Sequence, residues 1–163
     1  MLKNSSKAKT LILDANIWVY GILGTLKEAT DIILKCIKGE YKILVNSYIV
    51  AEVTRVLKRI AIRIHRDPLE LEKLFWKILN SNNVIKEFYH PITEDLIETM
   101  KKTSEIQMIS KILEIEPKDV PYLVLAFKHK VPIITTDERS LAKKSEKIRK
   151  LAKVEIFTVK GLI

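Results

Sequence analysis

DVPYLVLAFKHKVPIITTD, residues 119–137, opens and closes on an acid. Residues 118–130 are apolar nearly all round, which predicts a buried helix. VPIITT (131–136) is a compact apolar run without strict alternation, as expected of a strand covered on both faces in a parallel sheet. Four further segments read as strands: TLILD (10–14), KILVN (42–46), VIKEFY (84–89) and VEIFTV (154–159). The third and fifth strands in chain order alternate more and are expected nearer a sheet edge.

Helical patterns fill the intervals. Residues 27–38 set Ala29, Ile32, Ile33, Cys36 and Ile37 on one stripe, with Gly39 as the stop. Residues 48–65 carry an apolar face of Ile49, Val53, Val56, Leu57, Ile60 and Ile64, with Ser47 as candidate N-cap. DPLELEKLFWKIL begins another helix at 67, with Asp67 as cap and Pro68 at the first helical position. These two helices suggest an antiparallel arm over about 48–82. Thr93 can cap a further helix, residues 104–115 continue helically, and the Lys- and Arg-rich stretch 138–150 reads as a solvent-exposed helix. Strands alternating with helices point to an α/β fold, a three-layer α/β/α sandwich with a mainly parallel, five-stranded sheet.

The 163 residues suit one globular domain, placed at 10–163 behind a loose polar arm, MLKNSSKAK, at 1–9. Apolar residues at 47% argue against global disorder. The formal charge of +9 draws the protein toward polyanions such as RNA, DNA or acidic membranes, and serves solubility equally well. A single cysteine, Cys36, makes no internal disulfide, and no Cys/His cluster suggests zinc. A reducing cytoplasm is the expected setting. The early apolar run LILDANIWVYGIL (11–23) is broken by Asp14 and Asn16 and is too short to cross a bilayer, so no membrane association is expected.

Four acids stand at telling places. Asp14 and Asp137 each follow a buried strand, and in an open parallel sheet functional groups gather outside the carboxyl ends of strands. Glu52 lies one turn into the helix after the second strand, at the boundary of its apolar face. Asp119 begins the buried helix, and the sequence alone does not decide which sheet edge it meets. Each acid also has an ordinary reading. The aspartates suit helix caps, and Glu52 suits a surface pair with Arg55. Brought together, such carboxylates repel one another, and a divalent cation relieves the repulsion. Oxygen-only ligands favour Mg²⁺ or Mn²⁺, which can activate water for phosphodiester cleavage.

These motifs resemble the PIN-domain nucleases, in particular the VapC-like toxin branch. LILDANIWVY is similar to the family's apolar strand followed by Asp-x-Asn. VNSYIVAEVTRVL has a Ser five residues before its Glu. IKEFYHPITE resembles the strand and Ile-Thr-x-Glu entry that follow the helical arm, and DVPYLVLAFKHKVPIITTD combines the last two motifs. The resemblance spans most of residues 10–159. It implies that Asp14, Glu52, Asp119 and Asp137 line a metal pocket and act in catalysis, with Asn16 and Thr135 as polar supports. It also implies an Mg²⁺- or Mn²⁺-dependent endoribonuclease that pairs into a homodimer and, as a toxin, meets a small antitoxin. The family often has another Asp three residues beyond the last, followed by Phe. Here Ser140 and Leu141 stand there, which bears on a second metal position.

Lys58, Arg59 and Arg63, and Lys143, Lys144 and Lys147, form two basic stretches that suit RNA phosphates or ordinary solvated helix surface. His65, His90 and His129 fit no ligand spacing, and Trp18 and Trp76 read as packing residues. Two other functions compete: a non-catalytic PIN-like module binding RNA or protein, and an aspartate-dependent phosphatase with Asp14 as nucleophile. The latter normally has Asp where this chain has Asn16.

Overall fold

The structure, a computed structural model, describes residues 8–162. The strands are β1 (Lys9–Leu13), β2 (Tyr41–Asn46), β3 (Val84–Glu87), β4 (Ile133–Thr135) and β5 (Ile156–Thr158). The helices are α1 (Ala15–Leu23), α2 (Lys27–Ile37), α3 (Ser47–Arg63), α4 (Pro68–Leu79), α5 (Leu96–Lys101), α6 (Ser104–Leu113), α7 (Val120–His129), α8 (Ser140–Lys143), α9 (Ser145–Ala152) and α10 (Val159–Leu162). A 3₁₀ turn, Pro117–Asp119, leads into α7. The first seven residues of the expected polar arm lie outside the described residues, and Lys9 already belongs to β1.

All four strand pairings are parallel, in the order β3-β2-β1-β4-β5. The expected three-layer α/β sandwich is therefore present, with β3 and β5 at the edges. The apolar runs sit where the two-sided burial rule puts them: Leu11, Ile12, Leu13, Ile43, Leu44, Val45, Ile133 and Ile134 are all buried. β1 lies in the middle. The chain leaves it toward β2 and β3, then crosses back to place β4 on its other side. That reversal makes a switch point between the carboxyl ends of β1 and β4, where open α/β sheets build their sites. The Asp14 amide donates to the Ile134 carbonyl at 2.9 Å, which ties the end of β1 to β4.

On the β2 side, α3 packs against α4 and both meet α1. The 48–82 arm is thus seated on the body through Trp18, whose ring meets Phe75 edge-on with centroids 5.2 Å apart. Its tip remains exposed at Ile62, Ile64 and Leu69. Several local expectations change. The N-cap of α3 is Asn46, which accepts from the Ile49 amide at 2.9 Å, while Ser47 donates to the His90 carbonyl at 2.7 Å. Asp95, not Thr93, stands at the N-cap position of α5; the Thr93 hydroxyl bonds the Asp95 carboxylate instead. α7 is exposed at Val124 and Phe127. The 138–150 stretch divides at Lys144 into α8 and α9. Asp67 and Pro68 open α4 as expected.

Candidate active site

Asp14 ends β1 and begins α1. Its Oδ1 accepts the Ala15 amide at 2.7 Å, and its Oδ2 accepts the Thr135 hydroxyl, at the end of β4, at 2.6 Å. One carboxylate thus caps α1 and ties the end of β1 to the end of β4. Asp119 closes the 3₁₀ turn and is as fully buried as Asp14. Glu52 projects from the second turn of α3 and is only 4% exposed. Its Oε1 accepts the hydroxyl of Tyr122, from the first turn of α7. The surface alternative for Glu52 fails, because Arg55 pairs with Glu98 at 3.3 Å.

Arg139, in the bend between β4 and α8, joins these acids. Its Nε lies 3.2 Å from Asp14 Oδ2, and its Nη2 lies 2.8 Å from Asp119 Oδ1 and 3.4 Å from Asp14 Oδ1. Ser140, the next residue, donates to Asp119 Oδ2 at 2.5 Å. Tyr48 donates to the Lys118 carbonyl at 2.8 Å and meets the Tyr122 ring edge-on, which packs α3 against the turn that carries Asp119.

Burial governs the electrostatics. It pushes Glu52 up to about 7, against the Tyr122 hydrogen bond, and the Asp14 and Asp119 charges push the same way. Burial also raises Asp14, against the pull of Arg139 and Thr135. For Arg139 burial works toward the neutral form, but Asp14, Asp119 and Glu52 together outweigh it and hold the guanidinium charged. The Tyr122 hydroxyl is pushed well above its usual range by burial and by Glu52, so it donates.

The donor set is all oxygen, which suits a hard ion. With all three carboxyl groups ionised, the cluster would carry more negative charge than Arg139 neutralises, and burial answers that cost by holding protons on Glu52 and Asp14. In kind and in charge the residues fit a dication. Their present arrangement does not yet enclose one: among the described residues, no three His, Cys, Asp or Glu side chains are grouped to hold an ion. The guanidinium stands between Asp14 and Asp119.

Asp137 does not join the cluster. β4 ends at Thr135, one residue before the expected end, and the chain turns at Asp137. Its side chain is exposed and lines a neighbouring cleft of about 330 Å³ with Tyr20, Thr136, Glu138 and Lys160. The turn instead presents residues 139 and 140 to the acids. Thr135 supports Asp14 directly, whereas Asn16 reaches Thr136 at 3.5 Å and no carboxylate of the cluster. Arg139 and Tyr122 escaped the sequence reading. In the sequence Arg139 is one cation of a Lys- and Arg-rich stretch, and Tyr122 one ring of an apolar helix. The usable signal for Tyr122 was a hydroxyl in the first turn of a helix expected to be buried, since such a group needs a partner.

Of the basic residues, Arg59, Arg63 and Lys143 are exposed. Lys58 pairs with Glu94 at 3.0 Å, and Lys147 pairs with Glu114. No described helix is long and apolar enough to cross a membrane.

No curated protein matches the sequence. Among solved structures, the chain is similar to one from the crystal structure of VapBC2 from Rickettsia felis bound to a DNA fragment from its promoter. The TM-score is 0.55 at 13% identity, covering 91% of this chain and 98% of that one. It is also similar to a domain of a functionally unknown protein from Methanocaldococcus jannaschii, with a TM-score of 0.41 at 16% identity, covering 93% and 91%. The PIN domain family model matches residues 11–147, which is most of the chain and includes Asp14, Glu52, Asp119 and Arg139. With the parallel sheet and the acids at its switch point already described, that match establishes that the chain belongs to the PIN domain family, whose members are generally nucleases.

Proposed function

We propose that this protein is a metal-dependent endoribonuclease that hydrolyses RNA phosphodiesters with Mg²⁺ or Mn²⁺, and that it is the toxin of a toxin–antitoxin pair. The observation that carries the reading is the pairing of buried Asp14 and Asp119 on one guanidinium, with Glu52 buried near enough to feel both their charges. These three carboxylates would hold the ion; Asp137, exposed on the neighbouring cleft, is left out of the set. A bound dication supplies Lewis acidity toward a phosphoryl oxygen and toward the attacking water.

The chain's own residues do the rest. Thr135 and the Ala15 amide fix both oxygens of Asp14, so the carboxylate is oriented before any ligand arrives. Tyr122 holds Oε1 of Glu52, which leaves Oε2 to take a proton from water. Arg59, Arg63, Lys58, Lys143, Lys144 and Lys147 offer phosphate contacts on α3, α8 and α9. The pairs Lys58–Glu94 and Lys147–Glu114 are no obstacle, since exposed ion pairs are worth little. The antitoxin is a small protein that blocks the acidic pocket, and the active form is a homodimer in the cytoplasm.

The test is to titrate Mn²⁺ into the wild-type protein and into Asp14→Asn and Asp119→Asn while following RNA cleavage on a gel. Cleavage should appear only in the wild type, with circular dichroism unchanged in the variants. Undiminished cleavage in both variants would refute the assignment. RNA binding without turnover at any Mg²⁺ or Mn²⁺ concentration would favour a non-catalytic binding module.

A further inference from the structure

We propose that Arg139 is a built-in counter-cation: its guanidinium bridges Asp14 and Asp119, two of the carboxylates that would hold a divalent ion, so ion entry and Arg139 departure are a single exchange. This rests on the metal-site reading above and adds to it a competitor carried by the chain itself.

The geometry is that of a bridge. One guanidinium reaches Asp119 Oδ1 at 2.8 Å and both oxygens of Asp14 at 3.2 and 3.4 Å. A cation bridging the same two carboxylates would need those oxygens, and like charges cannot share them at such range. The guanidinium does not lose its proton in proteins, so deprotonation offers no way for it to yield. It can leave only by moving.

Its position permits that. Arg139 belongs to the bend after β4, not to the sheet, and its side chain is 13% exposed, so it already touches solvent. Rotation about its own side-chain bonds carries the charge outward while Asp14 stays fixed by Thr135 and Ala15. The hold is also incomplete. Arg139 Nε lies within ion-pair distance of Asp14 but has no well-directed hydrogen bond. A purely structural buried arginine would be expected to satisfy its donors. Ser140, the next residue and the first of α8, holds the other oxygen of Asp119, so a shift of the chain at 139–140 frees both Asp119 oxygens together.

The experiment measures Mn²⁺ binding alone, without RNA, by isothermal titration calorimetry on the full chain. Wild type is compared with Arg139→Gln and Arg139→Lys, and melting is recorded with and without Mn²⁺. Arg139→Gln should bind Mn²⁺ at least about tenfold more tightly. Without the ion it should melt below the wild type, and Mn²⁺ should raise its melting temperature by a larger margin. Arg139→Lys keeps a charge but loses the fork that spans two carboxylates, and it should fall between them. If Arg139→Gln does not fold, Arg139→Lys decides alone, and an affinity equal to the wild type overturns the proposal. Equal or weaker Mn²⁺ binding in a folded Arg139→Gln also overturns it, while leaving the metal site standing. Absence of Mn²⁺ binding in all three proteins would remove the metal site itself, and this inference with it.

Discussion

A carboxyl group that is buried before its ligand arrives leaves a mark on stability. Glu52 is pushed up to about 7 by burial. The folded protein therefore retains a proton that the unfolded chain, titrating near 4.5, has already released. Ion-free protein should gain stability as pH falls from about 7 toward about 4.5, and lose it as pH rises through about 7. Asp14, raised by the same burial, adds in the same direction. Glu52→Gln should flatten the dependence of melting temperature on pH across that window. A profile as steep as the wild type would show that Glu52 is not the buried titrating group. Three of the acids were legible in the sequence because their positions obey general rules: a strand end, a helix boundary, the start of an apolar helix. Asp137 obeyed the first rule equally well, yet the strand stops two residues short of it and its side chain faces the solvent. Arg139 was not legible, because a long flexible cation in a loop reads the same whether it lies in water or reaches back to a carboxylate.

Elements were read more securely than their ends. β1, β2 and β4 stand where compact apolar runs predict them, since burial on both faces leaves little freedom in composition, and the more alternating β3 and β5 lie at the edges. Caps were less secure. Asn46 and Ser47 are adjacent and both suit an N-cap, and only the tertiary partner of Ser47, the His90 carbonyl, separates them. The α1–α2 contact depends on a residue whose importance no periodicity reveals. A Cβ at Gly21 would press on Ile33 Cδ1 and come to 3.0 Å from the Ala29 carbonyl oxygen. The Ile33 side chain can turn away, but the backbone oxygen cannot, so the two helices would have to separate. Gly21→Ala should therefore cost about 1–3 kcal/mol in urea unfolding, the range typical of overpacked sites. A loss below about 0.5 kcal/mol, the ordinary scale for surface substitutions, would mean that the interface is looser than its geometry indicates.

The whole molecule carries a formal charge of +9 but buries its best-defined negative cluster at the centre of one sheet edge. Phosphates are expected to be drawn first to the basic helices and only then to the acids. Binding of RNA to the Asp14→Asn protein, the variant expected not to cleave it, should fall steeply with salt, linearly in a double-logarithmic plot. Glutamine in place of Lys143 and Lys144 should make that slope shallower. A flat salt response would place the contact away from these lysines. The sequence disclosed the excess charge but not its distribution, since surface pairs such as Lys58–Glu94 consume some of it only once the chain has folded.

β1 and β4 are neighbours in space although far apart in the chain: Ile12 pairs with Ile133, so the central seam of the sheet joins the first and last thirds of the chain. A ribosome has exposed β1, β2 and most of the helices long before residues 119–139 emerge from its tunnel. Until they do, Asp14 has neither Thr135 nor Arg139 beside it, and a chain released early lacks half of the constellation. Chains cut short before residue 119 therefore lack Asp119, Tyr122, Thr135 and Arg139, and the proposed site would not form in them.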